Sequence, residues 1–217
     1  VSKDKMAMSH KAAEYFVMRL KELLDKGEKI LVVFPTGRTP EYFYELLPEY
    51  IDKIIGRENW GRLVKDGTIQ FANLDEYVFP IPKDTDPDLR HPKSLTELIS
   101  NLEKIFGPKL GPLIAKQSYG YYMQQIYNRL GIPESSVFFI NNLNENPDNA
   151  ARDYEQIFTK ARDERRRIIR VYGIGPAEEE NGENDVHLAF IKHGTPFTQR
   201  DAHYTELTNA AKAQNRG

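Results

Sequence analysis

Cysteine is absent from the chain, which excludes disulfides, thiol catalysis and cysteine-ligated metal. An excess of charge of one sign is also missing. The 30 Lys and Arg nearly balance the 32 Asp and Glu, for a formal net charge of −2 at pH 7. A general electrostatic affinity for nucleic acid is therefore not expected. No apolar run is long enough to cross a membrane. The opening residues, VSKDKMAMSHKAAEYF, lack the apolar centre of a secretory signal. The expectation is a cytoplasmic protein with no membrane partner. Tryptophan is scarce too: Trp60 is the single one, and it reads as packing. No internal repeat is visible. The 217 residues suit one α/β domain, 1–217, with enough chain to bury a sizeable core. The final QNRG carries no evident closing element, which reads as a truncated C-terminus.

The most informative stretch is ILVVFPTGRTP, residues 30–40. Ile30 to Phe34 form an apolar, β-branched-rich run, the pattern of a strand covered on both faces. Pro35, Thr36, Gly37, Arg38 and Thr39 break it, and Pro40 suits the first turn of a helix. A helix start presents unpaired N–H groups and the positive end of the helix dipole. With the Thr36 and Thr39 hydroxyls, the Arg38 fork and the close approach that Gly37 allows, these make a phosphate cradle. An ordinary β–α turn with a threonine cap accounts for the same residues.

Strands and helices alternate along the chain. Lys5–Lys26 has Ala12, Phe16, Leu20 and Leu23 at helical spacing, and Gly27 stops it. The helix after Pro40 carries Tyr42, Phe43, Leu46 and Leu47; Tyr50–Gly67 is mixed and polar. Thr68–Leu74 reads as a strand ending at Asp75-Glu76-Tyr77-Val78. Ligands of open parallel sheets collect beyond the carboxyl ends of strands. Asp75 and Glu76 are therefore candidates for proton chemistry, with helix or turn capping as the alternative. The stretch Phe79–Lys93, rich in Pro and Asp, is a loop. Ser94 and Glu97 have capping-box spacing for a helix to Phe106, and Gly107–Lys116 reads as a connection. Ser118–Leu130 is a helix with clustered tyrosines. Val137–Ile140 is a strand, Pro147–Arg162 an amphipathic helix with Tyr154, and Ile168–Gly173 a buried strand. An acidic loop leads to Val186–Phe190, apolar again. This order predicts a mostly parallel sheet with helices on both faces.

Three separated stretches, FPTGRTP, NLDEYV and YGIG…NDVHLAF, resemble in order and distance the glucosamine-6-phosphate deaminase family, part of a wider group that includes 6-phosphogluconolactonases. SYGYYMQQIYNRLGIP resembles that family as well. The resemblance implies a modified doubly wound, Rossmann-like sheet. It implies an enzyme that opens the ring of an amino-sugar phosphate, isomerises aldose to ketose and releases ammonia, without metal or organic cofactor. Its partner would be a small sugar phosphate, and a homo-oligomer is the implied assembly. Carried over by motif, Thr36, Gly37, Arg38 and Thr39 hold the phosphate. Asp75 moves a proton between C2 and C1, and Glu76, next in the same motif, is a substrate-binding candidate. His187 opens the ring, oriented by Asp185, and Arg216 stands near the place of a further phosphate contact. Physical chemistry fits these roles. A carbon-bound proton needs a base held in contact, and imidazole gives and takes protons near neutral pH. Asp185 and His187, two apart, share a face of an extended chain.

The chain departs from the family pattern in several places, and the local match around Arg216, AQNRG, is thin. Val186 stands where the family has Gly before the His. Lys192 stands where it has an acidic residue five positions later, and a cation there makes the imidazolium harder to form. Residues 79–117 form an inserted loop and helix segment, read as a lid or an oligomer contact. A sugar-phosphate-binding protein without turnover is the alternative that Val186, Lys192 and the expanded acidic loop at 176–184 favour. A lactonase is disfavoured by Tyr77, where that branch typically carries Arg.

Overall fold

A computed structural model describes residues 4–37, 40–79, 81–143, 146–172, 179–180 and 183–184. The helix α1 (Lys5–Asp25) starts where Asp4 accepts the N–H of Met6 and ends at Gly27, whose φ is 73°. There the N–H groups of Gly27 and Glu28 return to the Leu24 and Leu23 carbonyls, so the last turn is satisfied before the chain enters β1 (Ile30–Phe34). The buried face of α1 is Ser9, Ala13, Phe16, Val17, Leu20 and Leu23. Ala12, expected on that face, is exposed. Ala13 and Val17 take its place, which turns the stripe toward α2 (Glu41–Ile54).

Pro40 occupies the cap position of α2, one residue before the first helical turn. The helix buries Phe43, Tyr44, Leu47 and Ile51, while Tyr42 is exposed. The polar stretch that follows contains a short helix that its mixed composition concealed, α3 (Arg57–Lys65). Trp60 packs inward there, and its ring N–H donates to the Leu130 carbonyl at 2.8 Å. Next come β2 (Ile69–Asn73) and a loop with one 3-10 turn at Pro87–Leu89.

The helix α4 spans Leu95–Ala115, longer than its pattern suggested. Gly107 interrupts it at φ 85°, ψ 165°, and Pro108 restarts the helix where a missing N–H costs nothing. The helix α5 (Tyr119–Arg129) leads to β3 (Val137–Phe138), then α6 (Pro147–Asp163) and β4 (Arg167–Arg170). A separate antiparallel pair joins β5 (Glu179–Glu180) to β6 (Glu183–Asn184).

The main sheet has the order β3-β2-β1-β4, and all its pairings are parallel. Every residue of β1 is buried, because both faces are covered. Ile30, Val32 and Phe34 pack with α1, α2, α3 and α5, and Leu31 and Val33 pack with Tyr154, Phe158 and Ala161 of α6. A further small core gathers α4 residues Leu95, Leu98 and Leu102 with Leu143 and Phe139. Strand order runs outward from β1 to β3, then returns to β4 on the other side of β1. The reversal makes the carboxyl end of β1 a topological switch point, the place where open α/β sheets take ligands. The turn at Thr36 and Gly37 lies there. The expected α/β class, a doubly wound sheet with helices on both faces, is the one observed.

Candidate functional site

The ends of β1 and β2 are held at one level by parallel pairing, with Phe34 opposite Asn73. Leu74 N–H extends the ladder to the Phe34 carbonyl at 2.7 Å. Each chain then turns, and the two turns meet. The Thr36 hydroxyl donates to both oxygens of Asp75, at 2.9 Å to Oδ2 and closer still to Oδ1. Two motifs 39 residues apart in sequence are thereby joined in one hydrogen-bonded unit.

Gly37 has φ 84° with open space around the position a Cβ would take. The backbone conformation, not crowding, is what calls for glycine there. Arg38 and Thr39 lie outside the described residues. So do Asp185, Val186, His187, Lys192 and Arg216.

Burial raises the Asp75 carboxyl from 3.8 to about 6, against the opposing pull of the Thr36 hydroxyl. Such a group is a carboxylate at neutral pH and still an effective proton acceptor, the balance that general-base work requires.

Glu76 points elsewhere. Its Oε1 accepts the N–H of Tyr77 and of Tyr119, both at 2.8 Å, and Oε2 accepts that of Gly120 at 2.7 Å. Tyr119 and Gly120 open α5, and Ser118 accepts the N–H of Tyr121 at 3.0 Å. The first turn of α5 is thus capped by one carboxylate from a remote loop and one local hydroxyl. Helix capping, the alternative reading of the acidic pair, is the arrangement seen for Glu76. Burial nevertheless raises its carboxyl from 4.5 to about 7, with the nearby Asp75 adding to the rise. Gly120 leaves room for it: a Cβ there would sit 3.2 Å from Oε2.

Tyrosines supply the next layer. Tyr127 of α5 donates to the Asn73 side-chain oxygen at 2.6 Å, and Tyr154 of α6 donates to the Asn73 carbonyl. Asn73 is therefore gripped from both faces of the sheet, two residues before Asp75. Tyr44 of α2 donates to the Pro35 carbonyl beside Thr36. Burial pushes all three phenols well above their ordinary range, so they remain donors. Tyr77 and Tyr119 stack with ring centroids 4.6 Å apart and share a hydroxyl contact of 2.9 Å. Clustered tyrosines were visible in the sequence, but their hydroxyl partners are long-range and could not be read from it. Among the described residues no group of His, Cys, Asp and Glu could hold a metal ion, and no helix is long and apolar enough to cross a membrane.

No protein-family model matches the chain. Among curated proteins it is similar to a glucosamine-6-phosphate deaminase of Clostridium beijerinckii, with 27% identity over 99% of the chain. The chain spans 66% of that relative's length. Among solved structures it is similar to a monomeric glucosamine-6-phosphate deaminase described as a missing link of the NagB superfamily. The TM-score is 0.61 at 20% identity, covering 99% of this chain and 66% of that one. The resemblance carried by three short motifs thus extends over almost the whole chain, in sequence to the curated deaminase and in fold to the solved one.

Proposed function

We propose that this chain is an amino-sugar-phosphate deaminase and isomerase, converting glucosamine 6-phosphate or an epimer to a ketose 6-phosphate and ammonia. The observation that carries the reading is the Thr36–Asp75 hydrogen bond at the switch point. It sets the phosphate-turn motif against the acid motif, as a reaction needing both a handle and a base requires. Thr36, Gly37, Arg38 and Thr39 hold the phosphate, with Arg216 a further contact. Asp75, an ionised base above about pH 6, takes the proton from C2 of the open-chain sugar and returns it at C1. The double-bond shift leaves the C2–N bond open to hydrolysis, and water releases ammonia. His187, oriented by Asp185, carries the proton between ring oxygen and anomeric hydroxyl in the opening step. Glu76 supports Asp75 indirectly, by fixing α5 under the same loop. The similarity to the Clostridium enzyme supports this chemistry over that of a lactonase.

A second reading, a sugar-phosphate-binding protein without turnover, is favoured by Lys192, which stands where the family pattern carries a carboxylate. Glucosamine 6-phosphate labelled with deuterium at C2 separates the two. Turnover through Asp75 moves the label from C2 to C1 or to solvent and slows when C2 carries deuterium. Retention of the label at C2, alongside ligand binding, selects the second reading.

A further inference from the structure

A cleft of about 490 Å³ lies between the loop after the 3-10 turn and one face of α6. It shares no lining residue with the Thr36–Asp75 unit. Asn149, Arg152, Asp153 and Gln156 line it from α6, at the i, i+3, i+4, i+7 spacing of a single helix face. Arg90 and His91 line the opposite wall. A cavity of this size takes a small metabolite.

The Arg90–His91 wall is built in advance. The Arg90 guanidinium donates to the Thr85 carbonyl at 2.8 Å and the Lys83 carbonyl at 2.9 Å, which closes the loop on itself. Asn101 donates to the Leu89 carbonyl at 3.0 Å. Asn141 then fixes the orientation of His91. Its side-chain oxygen accepts the N–H of Leu143 at 3.1 Å, so its amide nitrogen faces the other way. That nitrogen lies 3.2 Å from both the Arg90 carbonyl and His91 Nδ1. Nδ1 is therefore the acceptor, and in the neutral ring the proton sits on Nε2. His91, Arg152, Asn149 and Gln156, each able to donate a hydrogen bond, line the cleft. Two arginines and one carboxylate, Asp153, are among the lining residues, with the Arg90 guanidinium held by its own loop and Arg152 projecting from α6. Donors arranged this way around a net positive charge suit an oxyanion, and the single carboxylate suits a hydroxyl beside it.

We infer that this cleft binds a small phosphate ester bearing a hydroxyl, with Arg152 and His91 on the phosphate and Asp153 accepting from the hydroxyl. The site does not depend on the deaminase reading. Glycerol 3-phosphate titrated into the full chain by calorimetry tests it, beside Arg152→Gln and Arg38→Gln variants. Arg152 is exposed, so its loss leaves the core untouched. Arg152→Gln is expected to weaken one binding event about tenfold or more, the usual worth of a charge-assisted hydrogen bond. Arg38→Gln, on the other turn, is expected to leave that event intact. The His91 imidazole nitrogen resonance shifts during the titration of the unaltered chain. Binding lost in Arg38→Gln but unchanged in Arg152→Gln overturns the inference. So does an unmoved His91 resonance, or the absence of any binding. None of these outcomes bears on whether Asp75 transfers a proton.

Discussion

Asp75 holds its proton more tightly in the folded chain than in the unfolded one, so its ionised form works against folding. The rise from 3.8 to about 6 corresponds to about 3 kcal/mol. The acid's contribution is fully present below pH 3.8 and is lost as pH rises through about 6. Replacing it by Asn removes the charge and keeps an oxygen for the Thr36 hydroxyl. Asp75→Asn is therefore expected to be the more stable protein at pH 8, with the difference disappearing below about pH 4. Urea unfolding at both pH values checks it; an equal or lower midpoint for Asp75→Asn at pH 8 contradicts it. A residue that costs stability when charged and sits at a strand end is what a retained functional group looks like. Glu76 is buried for a different reason. Its oxygens hold three backbone N–H groups, including the first two of α5. Glu76→Ala orphans those donors and is expected to destabilise by ~1–3 kcal/mol. An unchanged urea midpoint contradicts the capping role.

At the scale of elements, the ends of β1 and β2 are fixed by phenols from three helices. Tyr44 holds the Pro35 carbonyl, and Tyr127 and Tyr154 hold Asn73. Tyr127→Phe and Tyr154→Phe keep the ring packing and remove only the hydroxyl. Each is expected to lower stability by about 1 kcal/mol, or roughly 2–4 °C in Tm for a domain of this size. Differential scanning calorimetry reads this, and variants within experimental error of the parent contradict it. Local signals were legible at this scale: the β-branched run of β1, Ser94 as a cap, Gly27 as a stop. Helix α3 was not, because only Trp60, Leu63 and Val64 are buried along its length, too few for a clear stripe. The second half of α4 was hidden because Gly107 and two prolines look like a connection, although proline is tolerated in a first turn. The Glu76 cap on α5 and the Tyr127 and Tyr154 grips on Asn73 join residues 43 to 81 positions apart, a separation at which sequence spacing carries no information. The Thr36–Asp75 meeting was legible only through the motif resemblance and the rule that strand ends gather ligands.

For the whole molecule, the parallel sheet packs one hydrophobic cluster against each of its faces, while α4 contributes to a separate small core around Leu98 and Leu102. Fewer buried apolar groups hold the α4 region, so it is expected to open at lower free energy than β1. Native-state hydrogen exchange should show amides of residues 95–115 exchanging well before those of residues 30–34. Equal protection would mean the two cores unfold as one unit. The central claim is that the switch point of this sheet performs amino-sugar-phosphate chemistry through Asp75. Ammonia release from glucosamine 6-phosphate, measured for the unaltered chain and for Asp75→Asn, tests it most directly. The account predicts release by the first and none by the second, with thermal stabilisation by the sugar phosphate retained in both. Release that persists in Asp75→Asn, or neither release nor stabilisation in the unaltered chain, would contradict it.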